Sequence, residues 1–183
     1  GYLETGVSHI GEQEVKGEAG LILLGNISDD RMNENANMFT ELPVAFQESA
    51  LLDRFHGFIK GWNIPRMREN MKAEGWALNV EYFSEVMHAL RDEIIYRAIV
   101  DELLDVPRGS DTRDTEAIKR ICTGFLKLFF PNIKSGKDVN LEEFSEYCLN
   151  TAKQMRGIIK RQLHLMDSEY RDGIPDINCL ING

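Results

Sequence analysis

The feature that most constrains the fold is a helical periodicity that fills the second half of the chain. Apolar residues recur there at intervals of three and four, which places them on one face of a helix. Asn79 is a good N-cap for a first helix that runs to about Leu104, Asp111 or Thr112 begins a second, and Asn140 begins a third. The predicted inward positions are Val80, Phe83, Met87, Leu90, Ile94, Ala98 and Val100 or Leu103; Ile118, Ile121, Phe125, Leu128 and Phe129; and Leu141, Phe144, Cys148, Ala152, Met155, Ile159 and Leu163. The periodicity of this half of the chain therefore predicts an α-helical bundle.

The first part of the chain has a different pattern. Residues 7–19 alternate weakly between apolar and polar, which suits a hairpin or an exposed loop. In the run from Gly20 to Asn26, four consecutive aliphatic residues lie between glycines and predict a short strand buried on both faces, although a buried helix could show the same run. Residues 28–40 predict a loop, and a short helical segment follows near 44–53. The sequence therefore predicts a mainly α fold, with a strand-bearing domain over 1–62 and a helical domain over 63–183.

Charge and composition exclude several classes of protein. The net charge of -9 argues against nucleic-acid binding through bulk electrostatics, although a local basic patch stays open. No apolar run is long enough to span a membrane, so we expect no membrane partner. The 3 cysteines are widely spaced and form neither a metal-binding pair nor a disulfide framework, which favours a reducing cytoplasm. The scattered histidines predict no metal site.

The segment around Arg54 is the strongest candidate for chemistry. Two apolar pairs, Leu51 with Leu52 and Phe55 with Phe58, flank this arginine and would fix the backbone that carries it. A guanidinium offers five donors in a rigid fork that suits a phosphate. The alternative is the end of an amphipathic helix with a solvated arginine.

The order of these elements resembles the second half of an AAA+ ATPase module. The sequence Leu-Leu-Asp-Arg-Phe over 51–55, followed by Gly-Trp at 61–62, is similar to the arginine-finger segment of Lon-type proteases. Residues 112–120 are similar to the sensor-two helix of MCM-type helicases. Together with 57–68 and 124–128, these motifs most resemble the Lon-related AAA+ proteins of bacteriophage-exclusion (BREX) defence systems. The resemblance covers nearly the whole chain and is strongest from residue 20 to about 165.

The resemblance implies a role for three residues. Asn26, after the predicted strand, matches the sensor-one polar residue, although a Gly-Asn pair there is ordinarily a turn. Arg54 matches an arginine finger that acts in trans on the ATP of a neighbouring subunit. Arg113 matches the sensor-two arginine of its own subunit, and its alternative is a solvent-exposed arginine at a helix start. The fold implied is the end of an AAA+ α/β core followed by an α-helical lid bundle.

The chain also departs from a complete ATPase. It contains no Gly-x-x-x-x-Gly-Lys-[Ser/Thr] loop, no aliphatic run that ends in Asp-Glu, and no serine in a context that suits a Lon-type Ser-Lys dyad. It also begins at Gly1 without an initiator methionine. We therefore expect a fragment that is inactive alone, from a parent that uses ATP and Mg in a ring of its own subunits, expected to be a hexamer, on DNA or protein. The alternative is a non-catalytic helical module whose residues 79–166 dock a partner protein.

Overall fold

The chain is mainly α-helical, as predicted. The computed structural model describes residues 7–17 and 20–180. Its strands and helices are β1 Val7–Ile10, β2 Gln13–Lys16, α1 Ser49–Leu52, α2 Val80–Leu90, α3 Ile95–Leu103, β3 Leu104–Asp105, α4 Thr112–Phe129, α5 Leu141–Glu143, a π-helical turn Phe144–Asn150, α6 Thr151–Met166 and β4 Asn178–Cys179. Short 3-10 helices cover Asp29–Arg31, Met38–Glu41, Val44–Phe46, Gly61–Asn63, Glu69–Met71 and Gly136–Asp138. Among the described residues, no helix is both long and apolar enough to cross a membrane.

The predicted hairpin is present near the start of the chain. Strands β1 and β2 pair in antiparallel register, with Val7 opposite Lys16 and Ile10 opposite Gln13. Gly11 makes the turn with a φ of 64°, a conformation that glycine adopts without a steric penalty. The alternation of this stretch was therefore a valid strand signal.

The predicted buried strand over 20–26 is wrong. These residues form neither strand nor helix, and the aliphatic run lies open to solvent, with Ile22 83% and Leu24 95% exposed. A strand buried on both faces needs a neighbouring strand on each side. Within the described chain, β1 pairs with β2 and β3 pairs with β4, and neither pair extends to this run. Four aliphatic residues supply the apolar character of a strand but not the partners that would make it one.

The first long helix was also predicted wrongly in two respects. Asn79 does cap it, since its side chain accepts a hydrogen bond from the Tyr82 amide at 3.0 Å. The helix is however divided into α2 and α3, because the chain turns at residues 91–94. The carbonyl of Arg91 there accepts a bond from Lys127 Nζ at 2.8 Å. No residue of α2 is fully buried, although Leu90 at its end packs against the larger core cluster, whereas α3 buries Tyr96, Ile99, Val100 and Leu103.

The other two helix starts agree with the sequence. The Asp111 side chain accepts from the amides of Arg113 and Asp114, which identifies it as the N-cap of α4. Asn140 accepts from the amides of Glu142 and Glu143 at the start of α5. The predicted third helix is continuous from α5 to α6 but passes through the π-helical turn.

The helices enclose two clusters of buried apolar residues. The larger contains α3, α4 and the π-helical turn together with Ile177 from the end of the chain. The smaller packs Met38, Phe39 and Leu52 against one side of α6. Because the smaller cluster joins residues on both sides of residue 62, it fixes the segment before Arg54 to the bundle. The domain boundary at residue 62 stays a prediction.

The end of the chain folds back onto the bundle. Strand β4 pairs with β3, so that Cys179 lies opposite Leu104, and the amide of Leu180 donates to the carbonyl of Leu103 at 2.8 Å. Lys153 Nζ donates to the Ile177 carbonyl at 2.7 Å. The apolar residues of this tail therefore have a partner within the chain.

Candidate functional site

The Arg54 segment is a tight turn that follows α1. The amide of Arg54 donates to the Leu51 carbonyl at 3.1 Å, and the amide of Phe55 donates to the Leu52 carbonyl at 3.0 Å. Leu52 is fully buried and Phe55 packs against the same cluster, so apolar residues do hold the backbone on both sides of Arg54. The Arg54 side chain is half-buried, and its guanidinium donates to the Ala50 carbonyl.

The end of the same segment lies directly against the helices. The amide of Phe58 donates to the Met155 carbonyl at 3.1 Å. A Cβ atom at Gly57 would lie 2.9 Å from the Met155 Cβ and 3.1 Å from the Ile121 Cδ1. Atoms of real side chains do not approach so closely, so the absence of a side chain at Gly57 allows the segment to contact α4 and α6.

Arg156, on α6, is the residue that ties this segment to the bundle. Its side chain is 0% exposed. One terminal nitrogen donates to the carbonyl oxygens of Asp53 at 3.0 Å and Phe55 at 2.7 Å, and the other donates to Asp53 Oδ1 at 2.7 Å. The Nε atom donates to Asp114 Oδ1 at 2.7 Å. Burial of a guanidinium is costly unless its donors are paired, and these four acceptors pair them.

Asp114 is the second buried carboxylate of this cluster. It lies in the first turn of α4, where a negative charge is favoured by the helix dipole, and it is 1% exposed. Its other oxygen, Oδ2, lies 3.1 Å from Nζ of Lys160, which is one turn beyond Arg156 on α6. Asp114 therefore joins the start of α4 to two cations of α6.

Arg113 completes the cluster from the neighbouring position of α4. One of its terminal nitrogens donates to Asp53 Oδ2 at 2.7 Å, and its side chain is 46% exposed. We call Asp53, Arg113, Asp114, Arg156 and Lys160 the ionic junction. In it the carboxylate of Asp53, which is 6% exposed, receives a buried cation on one oxygen and a partly exposed cation on the other.

The ionic junction determines the charge state of Asp53. Burial alone would raise the pKa of its carboxyl group, but the hydrogen bonds from Arg113 and Arg156 and the charge of Arg156 outweigh burial and hold the pKa below its ordinary value. Asp53 is therefore ionised at neutral pH, as the pairing with two guanidinium groups requires.

A histidine and an arginine lie beside the ionic junction. A terminal nitrogen of Arg120, on α4, lies 3.2 Å from His56 Nε2. Burial, followed by the charges of Arg120 and Arg156, lowers the pKa of His56. The neutral imidazole therefore accepts this hydrogen bond, and the contact is a second link between the Arg54 segment and α4.

The three predicted site residues are not all brought together. Arg113 is linked to the Arg54 segment, because it is bonded to Asp53, the residue before Arg54 in the chain. Asn26 is exposed in the stretch that forms no strand, and none of the hydrogen bonds of the ionic junction involves it.

Four residues of the ionic junction were not predicted from the sequence as functional candidates: Asp53, Asp114, Arg156 and Lys160. A signal for two of them was present. Arg156 and Lys160 lie four residues apart on the side of α6 that carries Ala152, Ile159 and Leu163, so they interrupt an apolar stripe with positive charge. Cations at such positions need buried acids, and Asp53 and Asp114 supply them.

The cluster suits an anion rather than a metal ion. Arg113 presents a partly exposed guanidinium at the first turn of a helix of 18 residues, where phosphate oxygens could accept from it as the Asp53 carboxylate does. Over residues 7–17 and 20–180, no group of three or more His, Cys, Asp or Glu side chains is arranged to hold a metal ion. The side chains of the ionic junction therefore suit the oxygens of an anion such as a phosphate.

Phe58 lines a separate groove. It has a volume of about 880 Å³, opens to solvent, and is bordered by Lys60, Phe125, Gln154 and Arg161 among others. Neither Arg54 nor Arg113 lines it. The groove is therefore distinct from the ionic junction.

Comparison with known proteins gives consistent matches over nearly the whole chain. Residues 1–175 match the family described as "Lon-like protease BrxL-like, ATPase domain". A protein of Escherichia coli O9:H4 (strain HS) named Lon-like protease BrxL is 30% identical over 165 residues, which are 88% of this chain and 23% of that protein. A protein of the same name from Bacillus cereus (strain H3081.97) is 26% identical over 163 residues, 87% of this chain and 24% of that protein. The chain thus spans about a quarter of the length of these relatives.

Proposed function

Because the chain belongs to the family of BrxL-like, Lon-like ATPase domains, we propose that it supplies arginine residues to ATP hydrolysis in a ring of identical subunits. Arg54 acts in trans on the ATP of the neighbouring subunit, and Arg113 acts on the ATP of its own. The observation that carries this proposal is the bond from Arg113 to Asp53, which joins two candidate segments 60 residues apart in sequence.

The fixed backbone around Arg54 supports the first of these roles. An arginine finger must neutralise charge that develops on the transferred phosphoryl group, and it does so best when its position is fixed before the reaction. The backbone on both sides of Arg54 is held by buried apolar side chains and by Arg156. A fixed backbone leaves only the side chain to be ordered when the neighbour's phosphate arrives.

Arg113 would meet the nucleotide from the start of α4. Its partner Asp53 has a second, fully buried cation in Arg156, so Arg113 could turn to a phosphate oxygen while Asp53 remains paired. Bound ATP would supply the γ-phosphoryl group that is transferred to water. Asn26 would act as the sensor-one residue, a role that requires the run over 20–26 to pair within a larger sheet.

Other parts of the site would come from residues outside this chain. The sequence contains no phosphate-binding loop of the Gly-x-x-x-x-Gly-Lys-[Ser/Thr] type and no aliphatic run ending in Asp-Glu. The ATP phosphates and Mg would therefore be held mainly elsewhere, and this chain alone would be inactive. The intact protein, we propose, is a cytoplasmic ring, a hexamer, that remodels DNA or protein in defence against phage.

The test is ATP turnover by the intact protein that carries Arg54→Ala. We expect kcat to fall by about a thousandfold, the magnitude typical of an arginine finger. Arg108→Ala is the matched control, since Arg108 is an exposed arginine in the loop before α4. Unchanged turnover in the Arg54 variant would contradict the proposal and would favour a non-catalytic interaction module.

Mixed rings distinguish the two modes of action. If Arg54 acts in trans and Arg113 in cis, equal mixing of the Arg54→Ala and Arg113→Ala subunits regenerates intact sites at about a quarter of random interfaces. If both arginines of a site come from the same subunit, every site lacks one of them and mixing restores nothing. The absence of recovery would thus overturn the assignment of Arg54 and Arg113 to different subunits of one site.

A further inference from the structure

The deeply buried Arg156 has a bonding pattern that general stabilisation of the bundle does not require. Two of its four acceptors are backbone carbonyl oxygens, those of Asp53 and Phe55. These carbonyls belong to the residues immediately before and after Arg54. A guanidinium that only neutralised Asp53 and Asp114 would not need to donate hydrogen bonds to the carbonyls on both sides of Arg54.

We propose that Arg156 is the positioning residue for Arg54, and that it fixes the backbone of the arginine finger to the helical bundle. The inference rests on the proposed role of Arg54. Arg156 does not touch the nucleotide, because it is fully buried; it acts only through the segment that it holds.

The same guanidinium also fixes the segment relative to α4. Its Nε atom bonds Asp114, the residue that follows Arg113, while Arg113 itself bonds Asp53. A displacement of Arg156 would therefore move the anchor of Arg54 and the anchor of Arg113 together. Lys160 stabilises this arrangement by pairing with the second oxygen of Asp114.

Lysine cannot replace arginine at this position. The planar guanidinium of Arg156 donates hydrogen bonds to four acceptor atoms. An ammonium group has three donors on a flexible stem and no fork. Arg156→Lys therefore keeps the buried positive charge between Asp53 and Asp114 but loses at least one of the four bonds that hold the turn beside Arg54.

The first measurement needs no nucleotide. Hydrogen exchange of the intact Arg156→Lys protein is compared with that of the native protein, peptide by peptide. We expect the amides of residues 52–58 to exchange about tenfold faster, since their bonds depend on the fixed turn. Arg161→Lys is the matched control, because Arg161 lies on the same helix but pairs at the surface with Asp172. Exchange over 52–58 that is unchanged in Arg156→Lys would overturn the proposal.

The second measurement separates positioning from a general structural role. We expect kcat for ATP hydrolysis to fall by tenfold to about a hundredfold in Arg156→Lys, with KM for ATP nearly constant, because a small misplacement of a catalytic group affects the chemical step. Adding Arg54→Ala should reduce kcat no further than Arg54→Ala alone. A purely structural role predicts a lower melting temperature with an unchanged kcat of the folded fraction, or additive losses in the double variant, and either result would overturn the proposal.

The outcomes also separate this inference from the proposed function. If Arg54→Ala leaves turnover intact, the arginine-finger role fails, whatever Arg156→Lys does to hydrogen exchange. If Arg54→Ala abolishes turnover while Arg156→Lys changes neither exchange nor kcat, the positioning role fails alone. Should Arg156→Lys not fold, Asp114→Asn replaces it, since it keeps an acceptor for Nε but removes the charge that orients Arg156. The same faster exchange over 52–58 and lower kcat are then expected, and their absence would refute the proposal.

Discussion

Removal of the Asp53 carboxylate should destabilise the chain far more than removal of an equally paired surface carboxylate. In Asp53→Ala, Arg156 loses a bond of 2.7 Å and Arg113 loses another of 2.7 Å. The Arg113 side chain can turn to water, but Arg156 is fully buried and cannot.

The magnitude follows from what the buried guanidinium retains. Breaking a buried ion pair by removing one partner costs about 3–5 kcal/mol. Arg156 keeps Asp114 and two carbonyl oxygens, so we expect a loss near the lower end, about 3 kcal/mol in the free energy of unfolding. A loss of that size lowers the melting temperature of a chain of this length by roughly 6–12 °C.

Asp101 provides the matched control. It also receives two cations, Arg97 at 3.1 Å and Lys119 at 2.7 Å, but it is 42% exposed. Solvent screens such pairs, so Asp101→Ala should cost only about 0–1 kcal/mol. Urea denaturation followed by far-ultraviolet circular dichroism measures both variants. If Asp53→Ala costs no more than Asp101→Ala, the argument from burial is refuted.

Three further predictions concern packing, protonation and thiol chemistry. Gly57→Ala should cost about 1–3 kcal/mol in urea denaturation, because the new methyl group would lie 2.9 Å from the Met155 Cβ; a neutral effect would show that the contact can relax. The pKa of Asp53 is lowered on folding, so its stabilisation is complete above the unfolded pKa of about 4 and is lost as the pH falls through the folded value. The stability difference between the native chain and Asp53→Asn should therefore be constant from neutral to mildly acidic pH and shrink in stronger acid; a difference that grows in acid would contradict this sign. Burial, with a contribution from Cys179, raises the pKa of the Cys148 thiol to about 12, so a thiol reagent at neutral pH should modify Cys148 only after unfolding, and rapid labelling of the native chain would contradict its burial.

Local chemistry explains which parts of the fold the sequence could predict. Asn79, Asp111 and Asn140 act as helix N-caps because a short polar side chain reaches amides two or three residues away. These bonds need nothing from the rest of the molecule. The hairpin at the start of the chain is local in the same sense, since its two strands are separated by two residues.

The errors concern properties that depend on distant partners. The aliphatic run after Gly20 was predicted as a strand from its composition, but a strand exists only if another strand pairs with it. The apolar side chains of α2 recur at helical spacing, yet none of them is fully buried, and Val80 is 76% exposed. In both cases the sequence identified apolar residues but not the elements that would cover them.

The residues of the candidate site likewise include some that the sequence could identify and some that it could not. The motif around Arg54 and the arginine at the start of α4 were visible in the sequence, but the bond between Arg156 and Asp53 joins residues 103 apart. Only the fold brings those charges together. The one available signal was a cation on an apolar helix face, and that signal predicts a buried acid without identifying it.

The unequal exposure of the two arginines on Asp53 suggests how the site would work. Both donate to the same carboxylate at 2.7 Å, yet Arg113 is 46% exposed and Arg156 is 0% exposed. A phosphate that competed for a guanidinium would reach Arg113 and not Arg156, because only the former has a solvated side to offer. Asp53 would stay ionised and fixed by its bond to Arg156. Arg113 would therefore exchange the Asp53 carboxylate for a phosphate, while the bond from Arg156 to Asp53 would keep the turn that carries Arg54 in place.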